Sequence, residues 1–218
     1  MCKPHHDENF WEGKTLSFLG DSITAFENYQ YKVQQLLQAG AVNSYGLAGS
    51  TISGPSEWSF VGRAPAVATD SDLVFVFGGT NDYHYNMQIG TFSDAAEWNS
   101  GEDHGTKARE TFYGALGFLC RVLKKQCPRA QIVFATPLQR IMEAESGENG
   151  INQLGYRLED YCRAIREVCG AYGIAVADLN RNSRITEETA AQYLYDGLHP
   201  NEEGFVILAG DIAAELMK

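Results

Sequence analysis

The chain lacks the sequence motifs of several large enzyme classes. It contains no GxSxG elbow, no HExxH pair, no GxxxxGK[ST] phosphate loop and no GxGxxG turn. These absences disfavour an α/β-hydrolase, and they leave a zinc protease, a phosphate-binding loop and a dinucleotide-binding domain without support. The five cysteines form no CxxC pair, so zinc and redox sites also have no support. The sequence therefore implies no cofactor and no metal.

Four of the cysteines fall in two pairs with helical spacing. Cys120 and Cys127 are seven residues apart, as are Cys162 and Cys169. On a helix this spacing places both thiols on one apolar face, where cysteine behaves as a small hydrophobic residue. We expect buried free thiols in a reducing compartment. Disulfides between the two helices remain an alternative.

Basic residues are scarce relative to acidic ones. The chain has 17 Lys+Arg against 28 Asp+Glu, a formal net charge of -11. Repulsion would oppose nucleic acids and anionic membrane surfaces, so neither is an expected partner. Long apolar runs are absent too, which argues against membrane insertion and against a signal peptide. These features favour a cytoplasmic protein; export or lipid anchoring through Cys2 is the alternative if the chain is a trimmed form. Oligomeric state is left open.

The 218 residues suit a single domain. Residues 1–13 are predicted to be an N-terminal tail, within which His5, His6 and Asp7 are more typical of a disordered terminus than of a metal site. No repeat, low-complexity segment or interdomain linker interrupts the remainder.

Short apolar runs alternate with longer amphipathic stretches, a pattern typical of β-α units around a parallel sheet. The predicted strands are 15–20, 41–45, 72–77, 131–135 and 174–179. The predicted helices are 29–39, 106–126, 154–172 and 202–217. Together they predict an α/β fold: a three-layer α/β/α sandwich with a five-stranded parallel sheet. Ligands of such sheets gather beyond the carboxyl ends of the strands.

Residues 83–105 show no strong periodicity and are rich in Tyr, Asn, Gly and acidic residues. A structureless loop of that length is unusual in a compact domain unless it has a function. We therefore predict that this segment covers a site at the adjacent strand end.

Ser22 lies in the turn after the first predicted strand, in the sequence Gly20-Asp21-Ser22-Ile23-Thr24. A serine in such a turn can expose its hydroxyl while its own N–H points into the cleft, which suits a nucleophile. The alternative is that Asp21 and Ser22 only form a turn or a helix cap.

Asp196 and His199 stand three residues apart, just ahead of the last predicted helix. An imidazole can take a serine proton, and a carboxylate can hold the required tautomer. The spacing lets the two side chains meet across one turn. Alternatively, Asp196 bonds only the local backbone amides.

Two further turns contain candidate oxyanion donors. Gly49, in the segment 43–51, offers an N–H that no side chain obstructs. Asn81, in the run Gly-Gly-Thr-Asn-Asp at 78–82, follows the strongest predicted strand and can point a neutral amide into the cleft. Each segment by itself is also an ordinary Gly/Asn turn.

Taken together, the motifs GDSIT at 20–24, LAGST at 47–51, GGTND at 78–82 and DGLHP at 196–200 resemble the SGNH hydrolases, the GDSL-type esterases and lipases. They occur in the family's order and bracket most of the chain; Ile23 replaces the family's usual leucine. The resemblance implies a flavodoxin-like sandwich with strand order 2-1-3-4-5. It also implies a Ser22–His199–Asp196 triad, with an oxyanion hole formed by Ser22, Gly49 and Asn81.

The implied function is hydrolysis of carboxylic esters without a cofactor, on a small-molecule ester substrate. Candidate substrate contacts are Tyr83, His84, Tyr85 and Trp98, whose rings can stack on sugars, and Arg140, which follows a strand end but which a surface salt bridge would equally explain. No apolar lid is evident, so the sequence favours short acyl groups such as acetyl on a carbohydrate or similar polar alcohol. The alternatives are a lysophospholipase or thioesterase, and a non-catalytic binding module on the same fold.

Overall fold

The computed structural model describes residues 10–54, 57–96, 107–141 and 150–218. Five parallel strands form one sheet in the order β2-β1-β3-β4-β5. Their bounds are β1 Thr15–Gly20, β2 Ala41–Gly46, β3 Leu73–Phe77, β4 Gln131–Ala135 and β5 Ala175–Ala177. The predicted α/β sandwich and its strand order are confirmed.

Helices of very different lengths connect the strands. Their bounds are α1 Ser22–Ala25, α2 Tyr29–Leu37, α3 Phe60–Arg63, α4 Thr80–His84, α5 Phe92–Ala96, α6 Lys107–Glu110, α7 Phe112–Gln126, α8 Leu158–Ala171, α9 Leu179–Asn182, α10 Ala190–Tyr193 and α11 Glu202–Leu216. The longer ones pack on the sheet, whereas the short ones α1, α3 and α4 lie in the connections that form the site.

The sheet separates two hydrophobic cores because successive residues of a strand point to opposite faces. Val74 and Val76 of β3 face a core shared with α7 and α8. Leu73, Phe75 and Phe77 face a second core shared with α2 and α11. Both faces of β3 are covered, which explains why its sequence is apolar throughout rather than alternating.

The single helix predicted over 106–126 is wrong in one respect, because the helix is interrupted at Thr111. Thr111 has extended backbone angles, and its side-chain oxygen accepts a hydrogen bond of 3.2 Å from the N–H of Gly114. Threonine is a favourable N-cap, so the local hydrogen bond ends α6 and begins α7 although the apolar spacing continues. Thr106 lies outside the described residues.

Other predicted bounds also differ. The helix predicted over 154–172 begins at Leu158, after a turn that Asn152 organises by accepting hydrogen bonds from Leu154 and Tyr156. The strand predicted over 174–179 is only Ala175–Ala177, and Leu179 begins α9.

The N-terminal tail is shorter than the predicted 1–13. Trp11 is buried, and its indole N–H donates to the carbonyl oxygen of Leu216 at 3.0 Å. A large aromatic ring thus anchors the start of the described chain against α11, while residues 1–9 lie outside the description.

The segment 83–105 is not a continuous loop. Tyr83 and His84 complete α4, and α5 occupies Phe92–Ala96; the remainder, 97–105, lies outside the described residues. Cys120, Cys127, Cys162 and Cys169 are buried free thiols, as predicted. Among the described residues, none of the helices is both long and apolar enough to cross a bilayer.

The strand order decides where the motifs meet. The chain leaves β1 towards β2 on one side and later returns to place β3 on the other side of β1. Connections diverge at this switch point, which opens a crevice at the carboxyl ends of β1 and β3. The turns after β1, β2 and β3, which contain Ser22, Gly49 and Asn81, all lie at this edge.

Candidate active site

Ser22 is the first residue of α1, two residues beyond the last residue of β1. The turn is very tight: a Cβ atom on Gly20 would lie 1.9 Å from Thr24 Oγ1, so only glycine fits there. Asp21 caps the helix, since its carboxylate accepts a hydrogen bond of 3.0 Å from the N–H of Ile23. The capping alternative is therefore correct for Asp21, and it leaves the Ser22 hydroxyl available for another partner.

Asp196 has both of the roles considered from the sequence: it binds local backbone amides, and it contacts the His199 ring. Its Oδ1 accepts hydrogen bonds from the backbone N–H groups of Leu198, at 3.0 Å, and His199, at 2.7 Å. Its Oδ2 lies 2.6 Å from Nδ1 of the His199 ring. One carboxylate oxygen thus shapes the turn while the other orients the imidazole.

Ser22 Oγ lies 2.8 Å from His199 Nε2, although the two residues are 177 positions apart. The carboxylate of Asp196 accepts a hydrogen bond from Nδ1–H, which holds the imidazole in the tautomer whose Nε2 has a free lone pair. The Ser22 hydroxyl is then the donor. This is the arrangement in which an imidazole can withdraw the proton of a serine.

The hydrogen bonds around Asp196 also set its ionisation. Partial burial by itself would raise the pKa of this carboxyl, but bonds from the N–H and the ring of His199 and from the N–H of Leu198 lower the pKa below its ordinary value. Asp196 is consequently a carboxylate at neutral pH, as an imidazole partner requires.

Gly49 and Asn81 lie in the wall of the same cleft. Gly49 has φ of +72°, a conformation that glycine adopts without strain, and its backbone is exposed. The side-chain amide of Asn81 donates one hydrogen bond of 2.9 Å to the carbonyl oxygen of Ser50, next to Gly49. An amide NH2 has two protons, so this group retains a second donor.

Asp82 holds the Gly49 loop against α4, a role that the sequence analysis missed. Its buried carboxylate accepts hydrogen bonds from Ile52 N–H at 2.8 Å, Ser53 N–H at 2.9 Å and the Ser53 hydroxyl at 2.6 Å. Because Asp82 is the neighbour of Asn81, the two candidate oxyanion donors belong to one hydrogen-bonded unit. The sequence signal for this role is the acidic residue that follows Asn81 in the GGTND motif.

Arg63 was also missed, and no sequence motif points to it. From α3, its guanidinium donates to the carbonyl oxygens of Gly20 and Tyr45 and to the hydroxyl of Ser50. These acceptors are the last residue of β1, a residue near the end of β2 and the neighbour of Gly49 in the loop. One cation therefore connects the nucleophile turn to the loop of a candidate oxyanion donor.

Two carboxyl groups beneath the cleft are fully buried. Burial raises the pKa of Asp21 to about 7 and that of Asp82 to about 6, although hydrogen bonds to Asp21 from the Ile23 N–H and to Asp82 from Ser53 and Ile52 oppose the rise. The charge of Arg63 also favours the ionised form of Asp21. These two carboxyl groups hold the turns that form the site, and they do not line the open cleft.

The cleft has a volume of about 510 Å³ and brings together most of the predicted site residues. Ser22, Gly49, Asn81, His84, Tyr85, Arg140, Asp196 and His199 all line it. Arg140 is only 1% exposed, so the surface salt bridge considered above is wrong, and its Nη1 donates to Thr80 Oγ1 at 3.2 Å.

Tyr83 is a predicted substrate contact that does not lie in this wall. The prediction for Tyr83 is wrong because its ring is fully buried against Tyr161, and its hydroxyl donates to the carbonyl oxygen of Gly150 at 3.0 Å. On α4, positions 83 and 84 face different directions, so only His84 reaches the cleft. Trp98 lies outside the described residues.

Comparison with known proteins agrees with this geometry. The chain matches the model of the GDSL-like Lipase/Acylhydrolase family over residues 18–207. A solved structure from Lactobacillus plantarum is 29% identical, with a TM-score of 0.81 over 94% of this chain and 97% of that one. A lipase/acylhydrolase from Enterococcus faecalis is 19% identical, with a TM-score of 0.63 over 94% and 95%.

An acetyl xylan esterase shares the fold at 18% identity, with a TM-score of 0.59 over 92% of this chain and 98% of that one. The curated proteins, by contrast, contain no match. Since the family model spans most of the chain and includes all four motif segments, the protein belongs to the GDSL-like lipase/acylhydrolase family, whose members hydrolyse esters.

Proposed function

We propose that the protein is a serine esterase in which Ser22 is the nucleophile, His199 the general base and Asp196 the residue that orients the base. The observation that carries the proposal is the continuous chain of hydrogen bonds, 2.8 Å from Ser22 to His199 and 2.6 Å from His199 to Asp196, at an open cleft. A module that only binds a ligand has no need of these three groups in this order.

The mechanism follows from the geometry. Ser22 Oγ attacks the ester carbonyl carbon while its proton passes to His199 Nε2. The carbonyl oxygen becomes an oxyanion, which the N–H groups of Ser22 and Gly49 and the Asn81 amide stabilise. Collapse of the tetrahedral intermediate breaks the bond to the alcohol oxygen, which takes the proton from His199. Water then releases the acyl group from Ser22 by the same two steps.

The proposed substrates are short acyl esters, such as acetates, of a carbohydrate or similar polar alcohol. Arg140 contributes to the cleft wall beside Thr80, the neighbour of Asn81. A long alkyl chain placed there would lie against a guanidinium rather than against apolar side chains, so it would gain little from its burial. An acetyl group avoids that contact. The acetyl xylan esterase of the same fold is a precedent for this chemistry on the fold.

The decisive experiment is Ser22→Ala assayed on p-nitrophenyl acetate, with Ser93→Ala, an exposed serine of α5, as the matched control. We expect Ser22→Ala to lose activity by at least about 10⁴-fold and to escape covalent labelling by a fluorophosphonate, while Ser93→Ala keeps both. Undiminished turnover or labelling in Ser22→Ala would disprove the assignment.

Acyl length is tested separately. Acetyl and octanoyl esters of one alcohol should differ in kcat/KM, with the acetyl ester preferred. A clear preference for octanoyl would instead identify a lysophospholipase or thioesterase acting through the same serine.

A further inference from the structure

We propose that Phe26 and Tyr195 form the binding surface for the alcohol part of the ester, and that this surface takes a neutral pyranose ring. The two rings, called the aromatic corner below, lie beside His199 and were not among the residues indicated by the sequence. The proposal rests on the proposed esterase function and adds to it the site and chemical class of the leaving group.

The chemistry of acyl transfer requires the alcohol to be near the imidazole. His199 Nε2 must protonate the departing oxygen, so this oxygen lies within hydrogen-bond reach of the ring when the ester bond breaks. The carbon skeleton attached to that oxygen therefore occupies the space beside His199. The acyl group, by contrast, lies between Ser22 and the oxyanion donors.

The side chains beside His199 are two aromatic rings at right angles to each other. Tyr195 stacks on the imidazole with a centroid separation of 5.6 Å and an interplanar angle of 16°. Phe26 meets the imidazole edge-on, at 5.6 Å and 83°. The planes of Phe26 and Tyr195 are themselves inclined by 82° at 6.4 Å. The imidazole and the two rings thus contact one another in a single cluster, of which Phe26 and His199 line the cleft.

Backbone hydrogen bonds connect both aromatic residues to the residues that react. The N–H of Phe26 donates to the carbonyl oxygen of Ser22 at 3.2 Å, and the N–H of Tyr195 donates to the carbonyl oxygen of His199 at 3.0 Å. Phe26 also packs against the buried ring of Phe205 at 6.1 Å. The corner is therefore pre-organised relative to Ser22 and His199, as a substrate-positioning surface must be.

The aromatic surface is largely unused by the fold. Phe26 is 50% exposed and Tyr195 is 61% exposed, and Phe26 lines the cleft. Large apolar rings that are exposed to water beside reacting groups indicate a surface that a ligand covers. A pyranose has an apolar face of C–H groups that stacks on such rings.

Polar groups at the rim suit the hydroxyl groups of a sugar. The side chain of Asp196 is 40% exposed beside Tyr195, and Asn28 donates to Glu202 at 3.5 Å two residues beyond Phe26. Carboxylate oxygens accept hydrogen bonds from hydroxyls. The same carboxylates, in a chain of net charge -11, repel an anionic leaving group such as a phospholipid headgroup.

The test compares two esters with one acyl group. Wild type and variants are assayed on methyl acetate and on the monoacetate of a methyl pyranoside, and the selectivity is the ratio of kcat/KM for the pyranoside ester to that for methyl acetate. Both esters give the same acetyl enzyme, so the ratio reports only the step in which the alcohol is bound and expelled.

We expect Phe26→Leu and Tyr195→Leu each to lower this ratio by about tenfold, because leucine keeps apolar volume but has no flat face. Tyr195→Phe keeps the ring and should retain the wild-type ratio. Phe92→Ala removes a ring of α5 that is 44% exposed and is the matched control.

Ratios within twofold of wild type in both leucine variants would overturn the proposal, as would a wild-type enzyme that does not prefer the pyranoside ester. Equal losses on the two esters would also overturn it, since they would show that the rings only support His199. Failure of the esterase function itself has a different signature: fluorophosphonate labelling and acetate hydrolysis that do not depend on Ser22.

Discussion

Arg63 donates a hydrogen bond of 3.0 Å to the carbonyl oxygen of Gly20, two residues before Ser22 in the chain. The same guanidinium nitrogen donates at 2.8 Å to the hydroxyl of Ser50, which follows Gly49. The nucleophile turn and the loop of a candidate oxyanion donor therefore share one donor group. This relationship predicts that Arg63 affects catalysis although it does not line the cleft.

Replacing Arg63 with methionine should lower both stability and activity. Its three acceptors lose their partner in a half-buried region, which should cost about 3 kcal/mol of unfolding free energy. Loss of alignment between Ser22 and the Gly49 loop should reduce kcat/KM by about 10- to 100-fold. Urea denaturation and the rate of fluorophosphonate labelling measure the two effects.

Arg184→Met is the control for Arg63. Arg184 is 59% exposed and pairs with Asp211 on the surface, so its loss should cost at most about 1 kcal/mol and leave labelling unaffected. Arg63→Lys should recover part of the stability only, because an ammonium lacks the planar fork that reaches several acceptors. If Arg63→Met behaved like Arg184→Met, the framework role would be refuted.

Asn81→Ala should lower kcat by about 10²–10³ with little change in KM. The amide contributes a hydrogen bond that strengthens as the oxyanion forms, and it also anchors the Gly49 loop through the carbonyl oxygen of Ser50. Steady-state kinetics on p-nitrophenyl acetate measure kcat and KM separately. Asn182→Ala, which removes a surface amide bonded to Glu215, should leave both constants at wild-type values. A change confined to KM in Asn81→Ala would contradict the oxyanion role.

Asp196→Asn should reduce kcat by about 10⁴ without unfolding the protein. The asparagine oxygen can still accept from Leu198 and His199 N–H, but its amide donor would face Nδ1. The imidazole would then hold its proton on Nε2, where it cannot accept one from Ser22. Asp211→Asn, a change at the Arg184 ion pair, is the matched control and should retain turnover. A kcat for Asp196→Asn within tenfold of wild type would argue against the proposed tautomer.

The buried carboxyl of Asp21 should make stability depend on pH. Burial raises the pKa of Asp21 to about 7 in the folded protein, against 3.8 for the free side chain, so the folded state binds this proton more tightly than the unfolded state does. The free energy of unfolding that the protonated Asp21 carboxyl contributes is fully present below about pH 4, and it is lost as the pH rises through about 7.

Asp21→Asn removes this ionisation while its oxygen can still accept the Ile23 N–H. The variant should therefore gain stability relative to wild type as the pH is raised from 5 to 8, by an amount of about 2–3 kcal/mol. Thermal or urea unfolding across that range gives the difference curve. A flat or descending curve would show that Asp21 is not protonated preferentially in the folded state.

The strand pattern was the most informative part of the sequence. The bounds predicted for residues 15–20 and 131–135 are those of the structure, because these short buried strands are mostly apolar and end at Gly or before Thr-Pro. Helix bounds were less accurate. The break at Thr111 depends on a side-chain hydrogen bond that overrides a continuous apolar spacing, and periodicity does not register such a bond.

The site shows the same division. Its motifs, which resemble those of the SGNH hydrolases, predict Ser22, Gly49, Asn81, Asp196 and His199, and the structure places all five around one cleft. Tyr83 was assigned wrongly to the substrate because composition does not reveal which side of α4 faces the cleft. Arg63, Phe26 and Tyr195 escaped notice because their partners are distant in the chain or are carbonyl oxygens without a sequence signature.

The fold class follows from local apolar patterns, and the type of chemistry is implied by four motifs that resemble those of the SGNH hydrolases. The 2.8 Å contact between His199 and Ser22, the bridge that Arg63 makes between two strand ends, and the two aromatic rings beside the imidazole could be seen only once the chain was folded. These relations arise from the packing of segments more than a hundred residues apart in some cases, and no local pattern encodes a distance across the sheet.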